Sequence, residues 1–295
     1  MHEPVLLKEV LDIFNPRPGQ TYIDATINGG GHARAIAERV GKNRRVIGMD
    51  WDCDIISEAR KRNAERGIKN IDLVCETYRK IQDVARERGI TDVDGVLFDL
   101  GFSSYHTDQS GRGFAFSKDE PLDMRYHPER DRKTAADIIN TYPEKELSDM
   151  FMRYGEERFA RRIARRIAEE RRKKRIVSTK HLADIVWHGI PPPARNGRIH
   201  PATRVFQALR IAVNDELASV PLGLTAAASL LAPGGTIAVI AFHSLEDRIV
   251  KDFMKQQHTS GILRILTPKP VRPQPEEIHH NPRARSAMLR AATKN

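Results

Sequence analysis

A short apolar run, Tyr22-Ile23-Asp24, ends in an acid, breaks into Asn28-Gly29-Gly30-Gly31-His32 and passes into the helix-like segment 33–40. Glycines placed where a strand turns into a helix leave backbone N–H groups free. They also remove the Cβ atoms that would hold a ligand off. A second run, 45–49, is followed by Asp50, close to the distance expected for the acid that grips a ribose in a nucleotide-binding βαβ unit. A glycine turn alone serves a plain strand-to-helix connection equally well. Asp24 and Asp50 at two strand ends favour a nucleoside-like cofactor. Thr26 and Asn28 stand where a strict G-x-G-x-x-G fingerprint wants glycine, and no Gly-Lys-Ser/Thr follows, which argues against dinucleotides and ATP. A ligand with a ribose but no phosphate fits better, and S-adenosylmethionine is the commonest such ligand.

Four β-branched runs, 21–25, 45–49, 71–75 and 95–100, alternate with helical segments stopped by Gly67 and Gly89. That alternation predicts an α/β doubly wound sheet with ligands at the carboxyl ends of its strands. The rhythm then breaks, and 113–202 carries amphipathic helices without a convincing strand. It resumes with helices 202–217 and 222–231, the strand 236–242, and two closing strands, 263–267 and 286–292, joined through a proline-rich surface loop, 268–282. The expected organisation is a discontinuous cofactor domain, 1–112 and 203–295, interrupted by a helical insertion, 113–202.

Inside the insertion, Phe159, Ile163 and Ile167 form one apolar helix face amid a dense run of arginines. Packing explains the apolar stripe. The arginines suit a solvated face or a polyanion, and the formal net charge of +10 points towards nucleic acid. The two cysteines, Cys53 and Cys75, are too few for a disulfide scaffold or zinc site and read as small buried hydrophobes. No run approaches the length that spans a bilayer, and Met1 to Leu7 lacks the parts of a signal peptide. The expectation is a cytoplasmic protein with no membrane partner. The acids are not spaced as a recognisable metal cage.

Asp99 ends the fourth strand in Asp99-Leu100-Gly101-Phe102-Ser103-Ser104, where an acid either caps the loop or performs chemistry beside the cofactor. The exocyclic amine of a base is a poor nucleophile, because its lone pair is delocalised into the ring. A carboxylate and a backbone carbonyl accepting its N–H groups would localise that pair and aim it at a methyl group. No cysteine lies near this loop, so the covalent attack that carbon methylation of a pyrimidine requires lacks a nucleophile. Nitrogen is the expected acceptor.

These segments resemble the RsmH/MraW-type methyltransferases, which methylate N4 of a cytosine in the decoding (P-site) region of bacterial small-subunit ribosomal RNA. The resemblance runs nearly end to end. It is carried by His2 to Leu7, Asp24 through His32, Asp99 to Ser104, Arg112 to Phe116, Pro121 to Arg125, Tyr154 to Ala160, His200 to Arg210, Phe242 to Arg248 and Asn281 to Ser286.

The resemblance implies a class I S-adenosylmethionine-dependent fold with an antiparallel last strand, and an inserted domain that recognises 16S rRNA, free or within the small subunit. It implies that Gly30, Gly31 and His32 line the cofactor site, that Asp50 holds the ribose and that Tyr78 contacts the adenine region. Asp99 would lie at the reactive end, with Ser103 and His243 assisting in the substrate pocket. His106 stands where the family has Gln and is a candidate cofactor contact. Arg125, Arg204 and Arg285 are candidate RNA contacts, although Arg204 and Arg210 could equally face Asp215 and Glu216. Three rivals remain open: a DNA or protein-amide methyltransferase, an RNA-assembly protein with a vestigial site, and a dehydrogenase.

Overall fold

The computed structural model describes residues 4–41, 45–130, 133–195, 197 and 199–295; Met1, His2 and Glu3 of the amino-terminal motif lie outside the described residues. The chain divides into two compact units, Met1–Ser103 with Leu217–Asn295, and Ser104–Glu216.

The first unit is built on a seven-stranded sheet. Its strands are β1 (Tyr22–Asp24), β2 (Val46–Asp50), β3 (Ile71–Cys75), β4 (Val93–Asp99), β5 (Leu231–Ala241), β6 (Leu263–Ile265) and β7 (Met288–Lys294). Their order is β3-β2-β1-β4-β5-β7-β6. The pairs β3–β2, β2–β1, β1–β4 and β4–β5 are parallel, whereas β7 runs antiparallel to both β5 and β6. Helices α1 (Leu7–Phe14), α2 (Gly31–Val40), α3 (Cys53–Glu65) and α4 (Ile81–Glu87) precede the second unit in the chain. Strands covered on both faces must be apolar throughout, and Ile237 to Ala241 of β5 are all buried. Gly95 lets β4 approach Tyr22, whose ring would lie 2.6 Å from an added Cβ. The strand order reverses between β1 and β4, so the crevice of a doubly wound sheet opens at the carboxyl ends of those two parallel strands. Asp24 and Asp99 terminate them.

The second unit holds α5 (Ser104–Asp108), α6 (Ala135–Thr141), α7 (Glu144–Gly155), α8 (Ala160–Arg171), α9 (Thr179–Gly189), α10 (Pro192–Arg195) and α11 (Ala202–Asn214). It is longer at both ends than 113–202, for physical reasons. The buried Asn214 amide accepts the Tyr126 N–H at 2.8 Å and donates to the Met124 carbonyl at 2.8 Å, tying α11 into this unit. The chain turns at Asp215 through φ 51°, so the continuous helix expected over 202–217 ends at Asn214. The next helix, α12 (Glu216–Leu230), returns to the sheet, followed by α13 (Ser244–Thr259) and α14 (Pro275–His280). Helix α14 falls within the stretch expected to be loop, and Glu277 there accepts the Leu6 N–H at 2.7 Å.

One expectation is overturned outright. Cys53 and Cys75 are not buried hydrophobes but form a disulfide with Cα atoms 5.1 Å apart. Cys53 is exposed and Cys75 half-buried. Parallel pairing sets Asp50 opposite Cys75, and α3 begins just beyond Asp50, so the two cysteines meet at the same sheet end.

Candidate active site

The turn after β1 crosses the ends of its neighbours. Ala25 donates its N–H to the Leu97 carbonyl at 2.8 Å and Ile27 donates to Met49 at 2.7 Å. Asn28 then enters the left-handed region at φ 47° and Gly30 at φ 71°, where a Cβ would be costly for most residues. Gly31 opens α2 beneath the Pro4 ring, which an added Cβ would meet at 2.8 Å.

This turn organises three carboxyls. Asp50 accepts the N–H groups of Asn28 at 3.1 Å and Asp52 at 3.0 Å, one on each oxygen. Asp24 accepts the Thr26 N–H at 3.3 Å. The Asp99 N–H donates to Thr26 Oγ1 at 2.6 Å, while Asn28 Nδ2 donates to the Asp99 carbonyl at 3.2 Å and reaches its Oδ2 at 3.5 Å. His32 Nε2 lies 2.9 Å from the Val5 carbonyl and its Nδ1 lies 3.8 Å from Asp99 Oδ2. Asp99 Oδ1 is buried with no hydrogen-bond partner among the described residues.

Burial pushes Asp24 and Asp50 up to about 7, outweighing the backbone N–H groups that stabilise their charge. Asp99 is raised well above the usual carboxylate range by burial, then by the Asp24 charge, against the Asn28 amide. Acids gathered this way favour a cationic ligand or a cationic reaction centre, because either relieves their mutual repulsion.

His243 caps α13. The Glu246 N–H donates to its Nδ1 at 3.3 Å, and Glu246 Oε2 accepts the Phe242 N–H at 2.9 Å. His243 Nε2 lies 3.1 Å from Glu246 Oε1 without hydrogen-bond geometry. The Phe242 ring would lie 3.5 Å from a Cβ on Gly101, so this cap borders the Asp99 loop. Ser103 is buried at the end of that loop, and Phe102 is 41% exposed.

The other predicted site residues have the following surroundings. Tyr78 starts a one-turn 3-10 helix after β3, and its ring packs edge-on to Phe98 at 5.5 Å and fills the space where Gly223 lacks a Cβ. His106 belongs to the helical unit, buried among the rings of Phe114 at 4.7 Å and Tyr126 at 4.8 Å. Arg125 is engaged by Asp123 through two short bonds, at 2.8 and 2.7 Å. Arg210 is buried and paired with Glu216 at 2.9 and 3.0 Å, which decides the alternative left open above. Arg204 is 40% exposed in its side chain, 4.0 Å from Glu157, and donates to the Glu156 carbonyl at 3.3 Å. Arg285 is exposed in a 3-10 turn after α14.

Sequence reasoning missed the roles of Thr26 and Asn28, which it read as spoiling a glycine fingerprint. Both orient the Asp99 end of β4. The available signal was their hydrogen-bonding chemistry at positions where a bare turn needs none.

The sheet order, its antiparallel β7 and the acid-lined crevice at the β1–β4 reversal define a class I methyltransferase. A Clostridium thermocellum protein assigned as an rRNA methylase shares this fold, with a TM-score of 0.50 at 14% identity and full coverage of both chains. Similarity in sequence goes further. The ribosomal RNA small subunit methyltransferase H of Carboxydothermus hydrogenoformans is 47% identical over 308 residues, covering 99% of this chain and 97% of its own length. The protein of that name in Nostoc punctiforme is 49% identical over 293 residues, covering 99% and 94%. The MraW methylase family model matches residues 1–295, and the chain belongs to that family. Among the described residues, no helix is long and apolar enough to cross a membrane.

Proposed function

We propose that this chain transfers a methyl group from S-adenosylmethionine to the N4 amine of a decoding-centre cytosine in 16S rRNA, in the cytoplasm. The observation that carries the reading is Asp99 Oδ1, a buried carboxyl oxygen left unpartnered at the sheet's switch point beside a second buried acid. Burying such a group without a partner costs on the order of 1–3 kcal/mol, so its retention argues for a ligand that completes it.

The residues present suit the donor. The turn at Asn28, Gly30 and Gly31 brings backbone close to any ligand in the crevice, and each Asp50 oxygen keeps a lone pair for a ribose hydroxyl beyond its one N–H bond. When bound, S-adenosylmethionine supplies an electrophilic methyl group on a positively charged sulfur. The three acids offer that charge a complementary surface.

Asp99 accepts an N–H of the cytosine amine, assisted by the carbonyls of the Leu100-Gly101 turn. This localises the nitrogen lone pair and fixes its direction. Once the nitrogen has gained a fourth bond it must shed a proton, and Asp99 Oδ1 is the acceptor. Thr26 and Asn28 hold the carboxyl in register, and Phe102 offers a ring on which the base can stack. The names of the relatives support an rRNA substrate. The choice of N4 rests on the absence of a cysteine from the Asp99 loop. The deciding experiment incubates small-subunit particles with the protein and labelled donor, then digests the RNA to nucleosides. N4-methylcytidine is the expected product; any other methylated nucleoside excludes the assignment.

A further inference from the structure

The helical unit contains a cavity of its own, of about 320 Å³, lined by Glu157, Arg158, Phe159, Ile199, His200 and Arg204 among others. That volume lies at the lower end of the range of small-molecule sites. All of its lining belongs to Ser104–Glu216, and none of the three rim acids contributes to it.

The chemistry of its wall is specific. Glu157 is 4% exposed, an unusual position for a carboxylate. Its Oε1 accepts the Phe159 N–H at 2.8 Å, while its Oε2 has only the Arg204 guanidinium, 4.0 Å away. Phe159 is half-buried, and the Arg158 guanidinium lies 4.7 Å from its ring centroid. Arg158 is exposed and forms no ion pair among the described residues. His200 stacks on Trp187 at 5.3 Å and 19° and leans on Phe116 at 4.7 Å. Its Nδ1 accepts the Ala202 N–H at 3.1 Å, and partial burial lowers its pKa, so the ring adds no charge at neutral pH.

A π surface, an acceptor-only carboxylate and two cations is the combination that binds an unpaired nucleotide. Bases stack on aromatic rings and guanidinium planes, a carboxylate accepts from an exocyclic amine, and arginines hold phosphate. A carboxylate rejects the carbonyl edge of uracil, which presents an acceptor in the same place. We infer that this cavity is a nucleotide subsite of the inserted unit, taking one unpaired cytosine- or adenine-type nucleotide of the RNA, with Glu157 reading the amine and Arg158 and Arg204 holding the phosphate. The inference rests on the proposed RNA substrate and says where, beyond the target base, the RNA is read.

Among the arginines of α8, several have structural partners. Arg165 and Arg166 pair with Glu169 and Glu170, and Arg171 donates to the carbonyls of Ile139 and Tyr142, both at 2.7 Å. The cavity at the amino-terminal end of that helix is therefore a better reader than the helix face itself.

The test uses the full chain. Trp51 and Trp187 are its only tryptophans, so Trp51→Phe leaves Trp187, stacked on the cavity wall, as sole reporter. Titration with CMP and AMP is expected to change its emission saturably, with UMP at least about tenfold weaker, a ratio that Glu157→Gln reduces to near one. Equal binding of the three nucleotides, or no saturable change with any, overturns the inference. In methyl-transfer assays Arg158→Ala is expected to raise KM for the RNA about tenfold while kcat at saturating RNA is retained; an unchanged KM also overturns it. Absence of methyl transfer by the unaltered chain would instead sink the proposed function, and the nucleotide titration is read independently of it.

Discussion

The carboxyl rim of the sheet and the helical unit treat their charges in opposite ways. At the rim, Asp24 and Asp99 are buried and Asp50 half-buried, none of them ion-paired with a lysine or arginine among the described residues, and all three are pushed towards protonation. In the helical unit, Arg210 meets Glu216 in a buried two-bond pair, Arg125 meets Asp123, and Thr134 and Asp137 form a reciprocal helix cap. There Asp137 is lowered, chiefly because the Thr134 hydroxyl bonds its charged form. Charges satisfied inside a fold describe architecture. Charges held unsatisfied describe what the fold waits for, and in this chain they concentrate where the strand order reverses.

That contrast can be broken experimentally. Asp99→Asn keeps the shape of the side chain but removes the acceptor pair, and methyl transfer is expected to fall about a thousandfold, while donor affinity measured by calorimetry changes only a few-fold. A loss under tenfold would take Asp99 out of the chemistry. In the helical unit the matching removal should act on stability instead. Glu216→Ala removes the carboxylate to which both the buried Arg210 guanidinium and the Tyr126 hydroxyl donate, the latter at 2.9 Å. A loss of roughly 3–5 kcal/mol in urea unfolding is expected.

The rim acids also set a pH dependence. Their folded pKa of about 7 lies above the ordinary value of 3.8, so the native state holds protons that the unfolded chain releases. Their contribution to stability is complete below about pH 4 and is lost as pH rises to about 7. Unfolding followed through Trp51 in a Trp187→Phe background should show a midpoint that falls as pH rises across this window. A flat profile would mean the acids are ionised at no cost. The smallest effect is expected on the surface of α8: Arg165→Ala removes an exposed pair with Glu169 and should cost no more than about 0.5 kcal/mol.

How far the sequence can be read depends on whether the signal is local. The strands, the glycine turn and the acids at strand ends follow from periodicity and turn chemistry over a few residues, and the structure shows each, although β5 begins at Leu231 instead of 236 and β6 stops at Ile265. Thr26 and Asn28 were seen and misjudged, because their partners lie on β4, some seventy positions along the chain. The cysteine pair was misjudged for a similar reason. Each cysteine sits in an ordinary α/β segment, and only the register of β2 with β3 brings them together. Arg125 reads from sequence as a candidate RNA contact and Arg210 as divided between RNA and the acids Asp215 and Glu216, and the structure sets a carboxylate beside each. In Arg210 the partner follows a left-handed turn at Asp215 that helix periodicity ran straight through.

From residues alone came the alternation of strands and helices, the break in that alternation, and the acids that close β1, β2 and β4. Hydrophobic period and glycine conformation are properties of short stretches, and they survive without knowledge of neighbours. Which of those acids keeps an oxygen unpartnered, which arginines are already spoken for, and that the inserted unit has a walled cavity were decided only by tertiary contact. Burial and pairing depend on what arrives from elsewhere in the chain, and that is where free energy separates a structural charge from a functional one.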